Sequence, residues 1–162
     1  MGRPVFYSFH FDKDVMRVQH VRNIGAIEDN APVSPNDWEQ IKRGGDKAIE
    51  RWIDDNMKYR HCVVVLIGEE TDSRRWVQYE IKKAWDENRG LVGIHIHNLK
   101  CPRNGTSRKG VNPFARFTFD DGRRLSDVVK CFDPHPVYPN NSIADSLERW
   151  VEEAINIRKN FK

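Results

Sequence analysis

Trp76 and Glu80 are the residues whose types and spacing could do chemistry. They fall four apart in a stretch, 73–88, whose apolar positions recur with a helical period, so they share a helix face. Val77, Ile81 and Ala84 make the core stripe of that helix, and the Trp76–Glu80 face lies beside the stripe rather than opposite it. Glu80 is thus placed at the border of the buried stripe, able to point into a cleft with an indole next to it. A partly desolvated carboxylate in such a place attracts any cation it meets more strongly. At a reference pKa of about 4.3 it is ionised at pH 7. Arg74 and Arg75 sit in the first turn, close to the same rim. The plain structural use of these residues is a pairing of Glu80 with Lys82 or Lys83 and simple packing of Trp76.

The elements that must position this pair follow from periodicity. Residues 4–11 are rich in aromatic and β-branched side chains and read as a first strand, ending at Asp12. Asp12 or Asp14 can cap a following helix with Val15, Val18 and Val21 on one face and Gly25 as its stop. Residues 26–36 are loop-like, residues 37–42 could form a helical turn, and Gly44-Gly45 breaks it. Asp46 is a good cap for a helix whose buried face carries Ala48, Ile49, Trp52, Ile53 and Met57. Residues 61–68 are continuously apolar, as in a central parallel strand covered on both faces. Ser73 can cap the helix carrying Trp76. Residues 90–98 are the next strand, and 128–132 a last one. Ser142 opens a final amphipathic helix with Ile143, Leu147, Trp150, Val151, Ala154 and Ile155 inward. Residues 99–126 are too long for a structureless loop in a compact domain, so a functional surface or a short hidden element is expected there.

Strand–helix alternation of this kind predicts an α/β domain with a mainly parallel sheet. Ligands of such sheets collect at the carboxyl ends of the strands. That places Ser8, Phe9 and His10, Gly68-Glu69 and the start of the Trp76 helix on one rim. His10 has two readings, site-lining or structural, and Phe9 has likewise two, stacking surface or core. His95 and His97 share a strand face with Cys101 nearby, but a fourth ligand and the closed spacing of structural zinc sites are missing. The pair is read as packed or hydrogen-bonded, with no metal assigned.

Composition narrows the class. The chain has 162 residues, 31% charged and 38% apolar, which suits one globular domain over 1–162. The net charge of +3 is spread among mixed charges and gives no nucleic-acid footprint. No apolar run approaches the roughly 20 residues of a membrane span, and no signal-peptide pattern opens the chain. Three widely spaced cysteines without such a signal fit a reducing cytoplasm rather than a disulfide framework. Gly44-Gly45 has the spacing of neither a Rossmann fingerprint nor a P-loop. A receiver domain would need clustered acids after the first strand, where Ser8-Phe9-His10 stands.

The stretch from Gly45-Asp46 to Ile81 resembles a TIR domain. A glycine–acid pair opens a helix with Ile49 and Ile53, the strand Val63-Val64-Val65-Leu66-Ile67 follows, and Trp76-Val77-Gln78-Tyr79-Glu80 matches the W-x-x-x-E pattern of TIR domains that cleave NAD. Val5-Phe6-Tyr7-Ser8-Phe9-His10 resembles their first strand. Arg74-Arg75-Trp76-Val77, Tyr79-Glu80-Ile81, Gly93-Ile94-His95-Ile96 and Lys109-Gly110, Asn112-Pro113-Phe114 occur in the order found in the TIR-like subunit of the bacterial Thoeris anti-phage system. The resemblance covers roughly residues 4–120. Val77 departs from the cysteine that typical TIR domains carry after the tryptophan, and the second strand expected between residues 23 and 44 is not readable.

The resemblance implies a flavodoxin-like TIR fold: a mainly parallel five-stranded sheet, or a four-stranded one without that second strand, flanked by helices. It implies an enzyme that uses NAD as substrate with no separate cofactor. Glu80 would be the catalytic carboxylate, with Ser8, Phe9, His10 and Trp76 lining the substrate site. Breaking the nicotinamide–ribose bond creates an oxocarbenium-like cation. One carboxylate at about 4 Å and an effective dielectric near 20 is worth roughly 4 kcal/mol against it, on the order of a thousandfold in rate. The product implied is a cyclic or conjugated ADP-ribose signal read by a separate effector protein. Self-association and a phage-derived trigger are implied as well. The rival reading, from another class, is a non-catalytic TIR-like module that serves only assembly.

Overall fold

The computed structural model describes residues 4–10, 14, 17–18, 21, 35–100 and 105–161. Its core is a parallel sheet of β1 (Val5–Ser8), β2 (Cys62–Ile67), β3 (Gly90–His95) and β4 (Cys131–Phe132), in that spatial order. The four-stranded form of the expected sheet is the one present among the described residues. Parallel neighbours need crossovers. α1 (Pro35–Arg43) and α2 (Asp46–Met57) lie in the one from β1 to β2 and α3 (Arg75–Asp86) in the one from β2 to β3, while α4 (Pro139–Asn160) follows β4. Asp14, Arg17, Val18 and Val21 are also helical. Val15 and Gly25 lie outside the described residues, as do all of residues 22–34, the larger part of the 23–44 stretch where a second strand is expected.

Every residue of β2 is fully buried, which is why its sequence shows no alternation. Side chains leave the sheet on both faces and make two cores. Val64, Leu66, Val92 and Ile94 meet Val18, Val21 and the α4 residues Ile143, Leu147 and Val151 on one face. Val63, Val65, Ile67 and Leu91 meet Ile49, Ile53 and Met57 of α2 and Val77, Ile81 and Ala84 of α3 on the other. Trp52, expected on the buried face of α2, is only partly buried, edge-tilted on Phe6 with centroids 6.0 Å apart.

Two expected caps are not used. Asp46 is the first residue of α2, behind Gly45 at φ 84°, and no side chain caps that end. Ser73 closes a 3-10 turn, Thr71–Ser73, and its hydroxyl donates to the Glu70 carbonyl, so Arg74 stands at the start of α3. The final helix starts at Pro139, before Ser142, because proline suits a first helical position. The long 99–126 connection does hold hidden elements: 3-10 turns at Pro113–Arg116 and Leu125–Asp127, and a bridge between Thr118 and Arg124. The last strand is reduced to Cys131–Phe132. Among the described residues no helix is long and apolar enough to cross a membrane.

The carboxyl end of the sheet is held by a buried cation. Arg17 is 2% exposed, and its guanidinium donates to the Leu99 carbonyl at 2.9 Å, the Gly105 carbonyl at 2.9 Å and Asp14 Oδ1 at 3.1 Å. One side chain thereby ties the helical stretch after β1 to both ends of the turn after β3. Breaking a buried pair of this kind typically costs about 3–5 kcal/mol, because the surviving charge stays buried. Gly68 and Gly110 complete the closure. A Cβ on Gly68 would meet the Asp14 carboxylate at 2.0 Å, and one on Gly110 would meet the Gly68 carbonyl oxygen at 2.0 Å.

Gly110→Ala is therefore expected to force the 105–112 segment off the end of β2. The expected cost is about 1–3 kcal/mol, or roughly 3–10 °C in melting temperature. Thermal unfolding followed by circular dichroism checks this; an unchanged melting temperature would contradict the close approach.

Candidate functional site

The site forms where β1 ends and α3 begins. Alternation along β1 sends Phe6 and Ser8 to the α2–α3 face, and Val5, Tyr7 and Phe9 to the α4 face. Ser8 is completely buried and pairs in register with Val65 of β2. On the far side of the junction, the end of β2 is turned by a hydrogen bond from the Gly68 amide to Thr71 Oγ1, 2.7 Å long. Thr71 is fully buried. The 3-10 turn it anchors delivers Arg74 and the first turn of α3.

Glu80 then falls among the buried residues of α3, with Val77, Ile81 and Ala84. It is 7% exposed, and its Oε1 accepts a hydrogen bond from Ser8 Oγ at 2.6 Å across 72 residues of sequence. Spacing put Glu80 at the edge of the stripe; β1 covers that edge and puts it inside. The lysines that could have neutralised it are occupied elsewhere. Lys82 pairs with Asp86 at 2.7 Å, and Lys83 with Glu87 and with Asp54 at 3.2 Å. The structural pairing of Glu80 with Lys82 or Lys83 is absent.

This corrects the expectation that Glu80 is ionised at pH 7. Burial pushes its carboxyl from 4.5 up to about 8, and the Ser8 hydrogen bond, which favours the ionised form, offsets only part of that. No charged side chain contributes among the described residues. At pH 7 the carboxyl of the free protein is therefore mostly neutral.

The other candidates are spread around this centre. Trp76, one turn before Glu80, is partly buried on the α2–α3 side. It meets the Tyr79 ring edge-on at 5.5 Å, and the Arg75 guanidinium lies 4.6 Å over its face. Arg75 is held there by Asp46 at 2.8 Å. Phe9 is partly buried against the core on the opposite face of the sheet from Glu80. The His10 carbonyl accepts the Asp14 amide at 2.9 Å, where the chain turns into its first helical stretch. The structure thus brings Ser8 to Glu80, sets Trp76 on the same helix, and does not bring Phe9 to them.

The His95 and His97 rings meet edge to face with centroids 5.9 Å apart, and both residues are buried. Burial holds the His95 imidazole down at about 4 and lowers His97 as well, so both are neutral at pH 7. Cys101 lies outside the described residues. Sequence reasoning missed Arg17 and Thr71, and it read Asp14 only as a helix cap, not as the partner of Arg17. An Asp–Arg pair three apart on a helix that also carries Val18 and Val21 is a faint signal of that pairing. Thr71 gave none.

A parallel sheet with helices on both faces and a buried acid at its carboxyl rim fits the TIR-like class of α/β domains. The family described as "Thoeris protein ThsB, TIR-like domain" matches residues 6–101. A protein of Bacillus cereus (strain MSX-D12), named "Putative cyclic ADP-D-ribose synthase ThsB1", is 35% identical over 134 residues, covering 77% of this chain and 69% of its own. The chain belongs to the TIR-like ThsB family of Thoeris proteins.

A buried carboxyl with a raised pKa makes a signed prediction for stability. The unfolded chain ionises Glu80 above about 4.5 and the folded one only near 8, so rising pH across that window favours unfolding. Glu80→Gln keeps the acceptor for Ser8 and removes the proton cost. The variant is expected to match wild type near pH 4 and to exceed it at pH 7 by roughly 3 kcal/mol, about 6–12 °C. A gap that does not widen with pH would contradict the burial of a neutral acid.

Proposed function

We propose that this chain is a cytoplasmic enzyme of anti-phage defence that cleaves NAD and converts it to a cyclic or conjugated ADP-ribose messenger for a separate effector protein. The observation that carries the reading is the buried carboxyl of Glu80, held by Ser8 at the carboxyl rim of the sheet with no cation paired to it among the described residues. The family membership and the printed name of the Bacillus cereus relative support it. NAD is the substrate and is consumed; no further cofactor is invoked. Self-association and a phage-derived trigger belong to the same proposal.

The chemistry follows from the electrostatics. The nicotinamide ring of NAD is cationic, and a cation close to Glu80 favours its ionised form. Substrate entry thus charges a carboxyl that is mostly neutral in the free protein. When the bond from the ribose anomeric carbon to the nicotinamide nitrogen breaks, its electron pair leaves with nicotinamide, and positive charge moves onto the ribose. The Glu80 carboxylate stabilises that charge in a site of low polarity, where it costs no reorganisation. The ribose cation is then captured by a nucleophile: a ring nitrogen of the same molecule, a hydroxyl of another, or water. The proton released by a hydroxyl or water passes to the carboxylate. Exclusion of water decides between a messenger and plain hydrolysis. Trp76 offers aromatic surface beside the acid, and His10 lies near the rim. Phe9 would have to reach the substrate from the chain segment beyond β1.

Mass spectrometry of small-molecule extracts tests this in phage-infected cells carrying the wild-type gene or Glu80→Gln. The expected result is an ADP-ribose-type species present in wild type and lost in the variant, with loss of protection. No difference between the extracts, with soluble protein and intact protection in both, would leave a non-catalytic assembly module as the account.

A further inference from the structure

We propose that Ser8 is the positioning residue of the catalytic carboxyl: its hydroxyl holds Glu80 in one orientation and favours its ionised form, rather than contacting substrate. This rests on the reading of Glu80 as the catalytic acid. Three observations carry it. Ser8 has no exposed surface, so a ligand at the rim cannot reach it without first displacing β1 or α3. Its hydroxyl proton is already committed, at 2.6 Å, to Glu80 Oε1. That length lies at the short end of the range for O–H···O hydrogen bonds.

The described surroundings offer Ser8 no substitute. Across the junction, β2 presents only apolar side chains, Val63, Val65 and Ile67, to this core. On α3 the neighbours of Glu80 inside the core are Val77, Ile81 and Ala84. The charged residues of α3 nearest in sequence, Lys82 and Lys83, turn to Asp86, Glu87 and Asp54, and Arg75 turns to Asp46. On α2, Asp54 takes Lys83 and the Tyr79 hydroxyl. Among the described residues one neutral hydroxyl opposes the whole cost of burying this acid. A hydroxyl can stabilise the carboxylate when charge is needed without pairing it permanently, as a lysine would. The acid therefore stays able to respond to a cationic substrate.

The test reads Glu80 directly. The side-chain carboxyl carbon of Glu80 is followed by carbon-13 NMR as pH is raised, its resonance assigned by its loss in Glu80→Gln. Wild type is expected to titrate near 8. Ser8→Ala is expected to move the midpoint up by about one to two pH units, the worth of one hydrogen bond to a charged acceptor. Ser8→Cys, nearly isosteric with a weaker donor, is expected to fall between them and decides the matter if Ser8→Ala does not fold. An unmoved midpoint in either folded variant would overturn the proposal. In protein activated by infection, nicotinamide release gives the second readout. A positioning role predicts that the alkaline rise in kcat/KM moves with the NMR midpoint while KM for NAD on the alkaline plateau holds. A rise in KM with an unmoved midpoint would make Ser8 a substrate contact instead. If Glu80 is not the catalytic acid, the NMR shift survives and the kinetic shift does not, which separates the failure of that reading from the failure of this one.

Discussion

One constraint organises this protein: an acid is buried against a single neutral donor. Glu80 is covered by β1, enclosed by apolar neighbours on α3, and met among the described residues only by the Ser8 hydroxyl. Stability alone would disfavour that arrangement, since an apolar residue or a paired acid would cost less. Strongly perturbed acids at the rim of a sheet are the sort of feature that function maintains. The raised pKa turns the acid into a conditional charge, mostly neutral when the site is empty and favoured as an anion when a cation approaches.

Much of the fold serves to hold that junction still. Thr71 fixes the turn from β2 into α3, and so fixes the angle at which Glu80 meets β1. Asp72 in the same turn accepts the Arg116 guanidinium at 3.2 Å, which ties the turn to the 3-10 segment Pro113–Arg116. Arg17, wholly inside, draws the connections around Leu99 and Gly105 onto the helical stretch after β1. Gly68 and Gly110 allow backbone and carboxylate to approach where any side chain would intrude. The rim is thus closed by polar contacts of backbone and side chain, while the two apolar cores on either face of the sheet supply the bulk of the stability.

Sequence reasoning reached the sheet and the long helices because burial writes itself into periodicity. The unbroken apolar run of β2 and the inward stripe of α4 were legible for that reason. The two-residue strand Cys131–Phe132 is too short to leave a period. Ser73 and Asp46 looked like caps by residue type, yet turn geometry one residue away decided otherwise. Ser8, Trp76 and Glu80 were legible as residues, chiefly through the resemblance to TIR domains. Their relation was not. The protonation of Glu80 depends on β1, which is 72 residues away in sequence and close in space. Arg17 left only a faint signal, because a buried arginine and a surface one have the same letter and the same spacing.

The central claim is that the carboxyl which breaks the nicotinamide–ribose bond is neutral in the free protein near pH 7. The measurement that tests it most directly is the pH dependence of nicotinamide release by activated protein, at NAD concentrations far below saturation, where the profile reports groups of the free enzyme. The account predicts a rate that climbs from about pH 6 and levels off only beyond an apparent pKa near 8. A profile already flat from about pH 6 upward, the behaviour of an ordinary exposed glutamate, would contradict it.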